Sequence, residues 1–432
     1  MDVICIGKSR RLVGEIKISG AKNAVLPVMA AALLTDKEIY LEGSPRLKDV
    51  EAMAGVLEHY GCRVDDFGGA YRIISGQGVR GRPDRSDELR ASFLVFGPLL
   101  AKQGEAEATM PGGCNIGARP VDLHIAGLRA MGAEIYIEGS RVIGRARRLK
   151  GAKVLLPTPS VGATENIMMA ACLADGITSI HNAATEPEIC DLAKALRLMG
   201  AKIVGDGTKT VRIEGVEKLG GCRHTPVSDR IEAGTYMIAV AAAGGDVLVK
   251  GIKPQLLQPL IMKLRQAGVN ITEYPFSVRL RSSGVVRPIN VITMPYPGFP
   301  TDLQPQISAL CLKAQGVSVI EETVFEKRFR HTPEFIKLGG RINIEKRRAV
   351  IEGVKTLRGC RVEATDLRAG AALVIAGLMA EGETEVGGFS HIERGYEDIA
   401  GQLRSIGANI NEVEVDKLEE AAPARLEAAL AR

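Results

Sequence analysis

The chain has 432 residues, of which 46% are apolar and 25% charged, with a formal net charge of +5. That length exceeds what one hydrophobic core fills, so two domains are expected, and the composition is that of a globular chain with large cores. Tryptophan is absent, Phe and Tyr are few, and Lys and Arg are spread along the chain; this argues against base stacking and against a continuous nucleic-acid track.

The N-terminal stretch MDVICIGKSRRLVGEIKISG has no signal-like apolar core. No apolar run reaches the roughly 18 residues that a membrane span needs. The eight cysteines form no Cys-x-x-Cys pair and show no zinc-like spacing with His. A reduced, cytoplasmic setting is therefore expected, with no metal. The modest positive charge suits an acidic small substrate better than a nucleic-acid backbone.

Along the chain a glycine repeatedly closes an apolar helix-like stretch and opens a strand-like one: Gly61, Gly132, Gly200, Gly268, Gly339 and Gly407, spaced 68 or 71 residues apart. A near-fixed period predicts one supersecondary unit used six times. Three units fall on each side of a seam between Gly200 and Gly268. Each unit also carries a second helix-like run, at Ala21–Leu34, Arg90–Lys102, Gly162–Ala174, Glu232–Ala243, Thr301–Ala314 and Asp366–Ala380. These begin polar and turn almost wholly apolar, so they are expected to be buried on most sides. The other helices, such as Val121–Met131 and Ile189–Met199, are amphipathic and expected nearer solvent. Short alternating runs, such as Lys153–Leu156, Ile177–Ile180, Lys202–Val204 and Val211–Ile213, predict strands. The fold class that follows is α/β, with helices inside and sheets outside. The tail from about Asn411 is charged and Ala-rich and departs from the repeat.

The starts of the buried runs carry Lys22-Asn23, Arg90, Thr164-Glu165-Asn166, Asp229-Arg230-Glu232, Thr301-Asp302 and Asp366-Arg368. Capping explains the Asp, Ser and Thr. It does not explain Lys22, Arg90 or Arg368, which the helix dipole opposes. Two readings stand for these cations: pairing with nearby carboxylates, or a site that needs positive charge. A further signal is the segment MPGGCNIGARPVDL, 110–123. Its glycines make an open loop with Cys114 in the middle, and Arg119 nearby favours a thiolate. Pro120 suits the first position of the helix that follows, whose N-terminus beside Arg119 is a ready anion site. Cys172 and Cys311, on apolar runs, read as core residues.

Taken in order, SGAKNA, LRAS, PGGCNIGARPVDLH, SVGAT, DRIEAGT, FPTDLQ, EKRFRH, TDLRA and HIERGYE closely resemble the UDP-N-acetylglucosamine 1-carboxyvinyltransferase (enolpyruvyl transferase) family, over about residues 8–411. The resemblance implies a two-domain inverted α/β barrel. Its first domain would be 20–228, its second 1–19 with 229–411, and 412–432 an extension. It implies transfer of the enolpyruvyl group of phosphoenolpyruvate to the 3-hydroxyl of UDP-N-acetylglucosamine, without cofactor or metal. In the same family reading Lys22, Arg119 and Arg394 grip phosphoenolpyruvate and Asn23 contacts the sugar. Arg90, Arg119, Pro120, Val121, Asp122, Leu123, Ser160, Val161, Gly162, Asp302 and Val324 line the UDP-sugar site. Arg328, Asp366 and Arg368 support the phosphate and carboxylate end. Cys114 is the implied proton donor and Asp302 the implied acceptor of the hydroxyl proton. Where some relatives carry Lys two residues before the Ser of SVGAT, this chain has Thr158, which brings no ammonium group. No nucleic acid, membrane or obligate protein partner is implied.

Overall fold

A computed structural model describes residues 2–9, 11–76, 90–110 and 121–414. Each of the six repeat glycines adopts a left-handed φ, between 85° and 102°, where a helix hands over to a strand. At Gly132, Gly200, Gly339 and Gly407 an added Cβ would meet nothing within 4 Å. Conformation rather than space therefore calls for glycine. In four units an arginine reinforces this turn. Arg129, Arg197, Arg265 and Arg404 each donate to the carbonyl six residues on, at Ile135, Ile203, Ile271 and Ile410. The recurring Leu-Arg before the glycine thus ties helix end to strand start.

The third unit shows the plan. Strand Lys153–Leu155 leads through helix Val161–Ala171 to strand Ile177–His181, which pairs parallel to it. Helix Pro187–Leu198 then leads to Lys202–Val204 and Thr210–Glu214, which complete the sheet with antiparallel pairing. In Thr210–Glu214 the β-branched Val211 and Ile213 face inward and the polar residues outward. Among the described residues there are five four-stranded sheets and one three-stranded sheet.

The six expected buried runs form helices Lys22–Ala31, Phe96–Gln103, Val161–Ala171, Arg230–Ala243, Gln304–Cys311 and Leu367–Met379. In Arg230–Ala243 every residue from Ile231 to Ala242 is buried. A helix with no polar stripe has to lie where it is covered all round, and these helices pack on one another under the sheets. Two of the runs start differently from expectation, in 3-10 turns at Arg90–Val95 and Thr301–Leu303. Pro98 and Pro305 each lack the N–H that would bond back to Leu94 and Thr301 in an α-helix, which favours a tighter turn there without requiring it, since Lys22–Ala31 is α-helical around Pro27.

Buried apolar side chains fall into two clusters. One draws on residues between Val25 and Leu219. The other joins Ile4, Ile6, Leu12, Ile16 and Ile18 to residues between Ile231 and Ile410. Strand Asp2–Gly7 lies between Glu383–Gly387 and Ile410–Glu414, and Leu12–Lys17 runs parallel to Gly245–Lys250. Cys222–His224 returns to pair parallel with Ile39–Glu42, completing the first unit's sheet. The two segments that connect the clusters are themselves bonded: Ala21 N–H to Val227 O, and Asp229 N–H to Ser19 O. The last strand runs on to Glu414, because Asp2–Gly7 offers it a ladder; the expected break at Asn411 falls inside that strand. The rest of the tail lies outside the described residues.

Candidate active site

Lys22 is the first residue of its buried helix, and Asp49 sits in the first turn of helix Lys48–His59. Lys22 Nζ lies 2.9 Å from Asp49 Oδ2. The other carboxylate oxygen accepts from Arg394 Nε at 2.8 Å. Arg394 follows the short helix Phe389–Ile392, so this contact joins the two clusters. Burial pulls the Lys22 ammonium below its usual range, and Asp49 is the main opposing influence. For Asp49, burial would raise the carboxyl, but the charges and hydrogen bonds of Lys22 and Arg394 together carry it below its ordinary value.

Asp302 was expected to open a helix, with capping as one account of it. It stands instead in the 3-10 turn, where no side chain caps. Its Oδ1 accepts from Arg328 at 3.0 Å and its Oδ2 from Arg368 at 3.1 Å. The cap of helix Leu367–Met379 is Asp366, which accepts from the N–H groups of Arg368 and Ala369. Arg368 also donates to the Tyr396 hydroxyl at 3.3 Å, which is 2.7 Å from Thr235 Oγ1. Burial disfavours the Arg368 charge, yet Asp302 and the groups around it hold the guanidinium well above its ordinary value. Arg328 Nε is buried and has no partner among the described residues. Glu322 ties the neighbouring turns together, accepting from Thr301 Oγ1 and from the N–H of Val324.

These two groups feel one another: Asp302 and Arg368 both act electrostatically on Lys22. The cations at the helix starts therefore satisfy both readings, since the carboxylates they pair with belong to the same place. Lys22, Arg328, Arg368 and Arg394 against Asp49 and Asp302 leave an excess of two positive charges. Such a surplus where residues of the two clusters meet, with an unmet guanidinium donor, suits a multiply charged anion.

The remaining expected residues divide. Ser160 caps helix Val161–Ala171 by accepting from Ala163 N–H, and Gly162 is packed against His124. Val121 is the cap position of helix Asp122–Ala130, which carries Leu123 and His124; a bond from Asn166 to His124 Nδ1 joins the two helix starts. The first position of that helix is Asp122, in keeping with the dipole's preference for an acid there. Asn23 is exposed beside Lys22. Cys114, Arg119 and Pro120 lie outside the described residues; for Arg90 the backbone enters the 3-10 turn and its side chain lies outside them. Asp49 was missed in the sequence. Its signal was present: it shares the buried face of its helix with Val50, Met53, Val56 and Leu57, where a charge is out of place.

Among the described residues no group of three or more His, Cys, Asp or Glu is arranged to hold a metal, and no helix is long and apolar enough to cross a membrane.

This arrangement of inward helices and outward sheets is the fold of enolpyruvyl transferases. It superposes on the enolpyruvyl transferase NikO from Streptomyces tendae with a TM-score of 0.85 at 23% identity, covering 95% of this chain and 99% of that one. EPSP synthase from Acinetobacter baumannii gives 0.74 at 19% identity over 96% and 100% of the two chains. The family profile described as EPSP synthase (3-phosphoshikimate 1-carboxyvinyltransferase) matches residues 6–403, and the chain belongs to that family. Among its relatives, UDP-N-acetylglucosamine 1-carboxyvinyltransferase 1 of Caldanaerobacter subterraneus is 50% identical over 94% of this chain and 98% of its own length. UDP-N-acetylglucosamine 1-carboxyvinyltransferase 2 of Carboxydothermus hydrogenoformans is 51% identical over 96% and 100%.

Proposed function

We propose that this chain is a transferase that moves the enolpyruvyl group of phosphoenolpyruvate to the 3-hydroxyl of UDP-N-acetylglucosamine, releasing phosphate. That is the first committed step of peptidoglycan synthesis, carried out in the cytoplasm. The observation that carries the reading is the roughly half identity to relatives of that name along nearly the whole chain. The cation-rich cluster is what the chemistry requires. Phosphoenolpyruvate brings a phosphate and a carboxylate, the nucleotide a diphosphate, and guanidinium groups bind such anions through paired hydrogen bonds.

The reaction is an addition followed by an elimination. An acid delivers a proton to C3 of phosphoenolpyruvate, positive character develops at C2, and the sugar O3–C2 bond forms as the hydroxyl proton leaves. C3 then gives up a proton, the C2–O bond to phosphate breaks, and the alkene is restored. Cys114 is assigned as the acid and Asp302 as the acceptor of the hydroxyl proton. Lys22, Arg119 and Arg394 hold phosphoenolpyruvate, with Arg328, Asp366 and Arg368 at its charged end. Asn23, Arg90, Val121 to Leu123, Ser160 to Gly162 and Val324 receive the UDP-sugar. In this reading the two apolar clusters are the cores of two domains, 20–228 and 1–19 with 229–411, that close on the substrates.

The test is phosphate release from phosphoenolpyruvate, measured with no acceptor, with UDP-N-acetylglucosamine and with shikimate 3-phosphate. Release that requires the UDP-sugar supports the reading. Release with shikimate 3-phosphate instead moves the acceptor, and binding of the UDP-sugar without release leaves a non-catalytic binder.

A further inference from the structure

Asp49 is absent from the roles assigned above, yet among the described residues it is the one carboxylate that touches both Lys22 and Arg394. Each of its oxygens is committed to a different cation, and the residue is 7% exposed. Its helix is capped at Leu47 with no side-chain bond, so Asp49 is not occupied in closing the helix start. Its neighbours cross between the clusters as well. Arg46 N–H donates to Glu397 at 3.1 Å, and Lys48 Nζ lies 2.5 Å from Glu393. Positions 46 to 49 and 393 to 397 therefore form a clasp of three polar links, with the Asp49–Arg394 link innermost.

We propose that Asp49 is a positioning residue: its carboxylate fixes Lys22 and Arg394, cations that lie 372 residues apart in the chain, at the spacing in which both meet one anionic substrate. Free lysine and arginine side chains have many rotamers, and two cations with no anion between them repel. A buried carboxylate bonded to both removes the repulsion and much of the rotamer freedom before substrate arrives. It also keeps Lys22 charged in a place where burial works against the charge. The groups that face Lys22 are Asp49 from helix Lys48–His59, Asp302 from the 3-10 turn and Arg368 from helix Leu367–Met379; Arg394 reaches it through Asp49. Asp49 is the leading influence that raises the ammonium, so its removal lowers the pH at which Lys22 loses its proton.

The inference rests on the function proposed above, and its test separates the two. Wild type, Asp49→Asn and Asp49→Glu are assayed for UDP-sugar-dependent phosphate release between pH 6 and 10. For Asp49→Asn, kcat/KM for phosphoenolpyruvate should fall on the order of 10²-fold, the usual result of misplacing a binding group by about 1 Å. KM for UDP-N-acetylglucosamine should hold, and the alkaline limb of the phosphoenolpyruvate profile should move to lower pH. Asp49→Glu should restore that limb even where turnover stays reduced. In parallel, the rate of Lys22 acylation by acetic anhydride, mapped by mass spectrometry across the same pH range, reports the ammonium without any turnover. Asp49→Asn that labels Lys22 with the wild-type pH profile overturns the proposal. So does a variant that melts lower, loses both substrates equally and keeps its alkaline limb, because that is a fold defect. A wild type that releases no phosphate counts against the proposed function, and the labelling arm still decides on Asp49.

Discussion

Replacing Asp302 by asparagine separates what its charge does from what its size does. Both carboxylate oxygens accept hydrogen bonds, one from Arg328 and one from Arg368, whose side chains are 2% and 6% exposed. An asparagine has one acceptor and one donor, so one guanidinium would face an N–H group. Removing one partner of a buried ion pair costs roughly 3–5 kcal/mol. Solvent reaches 29% of the Asp302 side chain, which places the expected loss at the low end, about 3 kcal/mol. Thermal melting in a buffer free of multivalent anions should therefore put Asp302→Asn well below wild type. Inorganic phosphate should recover more of the variant's melting temperature than of the wild type's, because an anion that binds the folded state replaces the missing charge. Turnover should fall by roughly 10²–10⁴, the usual worth of a general base, and phosphate should not restore it. An Asp302→Asn variant that melts with wild type in the anion-free buffer refutes the argument that this carboxylate holds the two arginines in place.

Three further outcomes are expected. An epoxide phosphonate that mimics phosphoenolpyruvate should alkylate Cys114, faster with UDP-N-acetylglucosamine present. Peptide mapping should find no label on Cys172 or Cys311, whose thiols burial pushes up to about 12. Arg394→Ala should weaken phosphoenolpyruvate use by about 2–5 kcal/mol in kcat/KM while UDP-sugar binding measured by calorimetry changes little; equal loss of both would make Arg394 a fold contact. Burial, with Asp229 beside it, raises the Glu232 carboxyl to about 7. The folded state then holds this proton more tightly than the unfolded chain, so the stability it contributes is present below about pH 4.5 and is lost as pH rises to about 7. Glu232→Gln should flatten that part of the melting-temperature profile relative to wild type, and an unchanged profile would contradict it.

The repeat was legible because its causes are local. A glycine with positive φ, a helix with no polar stripe and a strand with alternate apolar residues each announce themselves within a few positions. The starts of the helices were less legible. Two of them begin as 3-10 segments, at Arg90–Val95 and Thr301–Leu303, a difference of hydrogen-bond step that apolar pattern does not register. Within the site, Lys22 and Arg368 stood out because they offend the helix dipole. For Asp302 local pattern offered only a cap and the family resemblance a proton acceptor, while its two arginine partners, at positions 328 and 368, lie beyond the reach of local pattern. Asp49 escaped because its meaning depends on Arg394, a residue 345 positions away. Local pattern tells which side chains are unusual, and only the assembled fold tells what they are unusual for.

Strand order has a consequence for the chain as it is made. The first cluster can complete its sheets once Cys222–His224 has been synthesised. Strand Asp2–Gly7 has to wait for Glu383–Gly387 and Ile410–Glu414, its neighbours on either side. At roughly 5–20 residues per second, that is on the order of 20–80 s on the ribosome. Through that interval Val3, Ile4 and Ile6, all buried at the end, are without their native cover. Placing that strand ahead of nearly all the residues that cover it separates it from its partners in time, so the second core closes only once Ile410–Glu414 has been made.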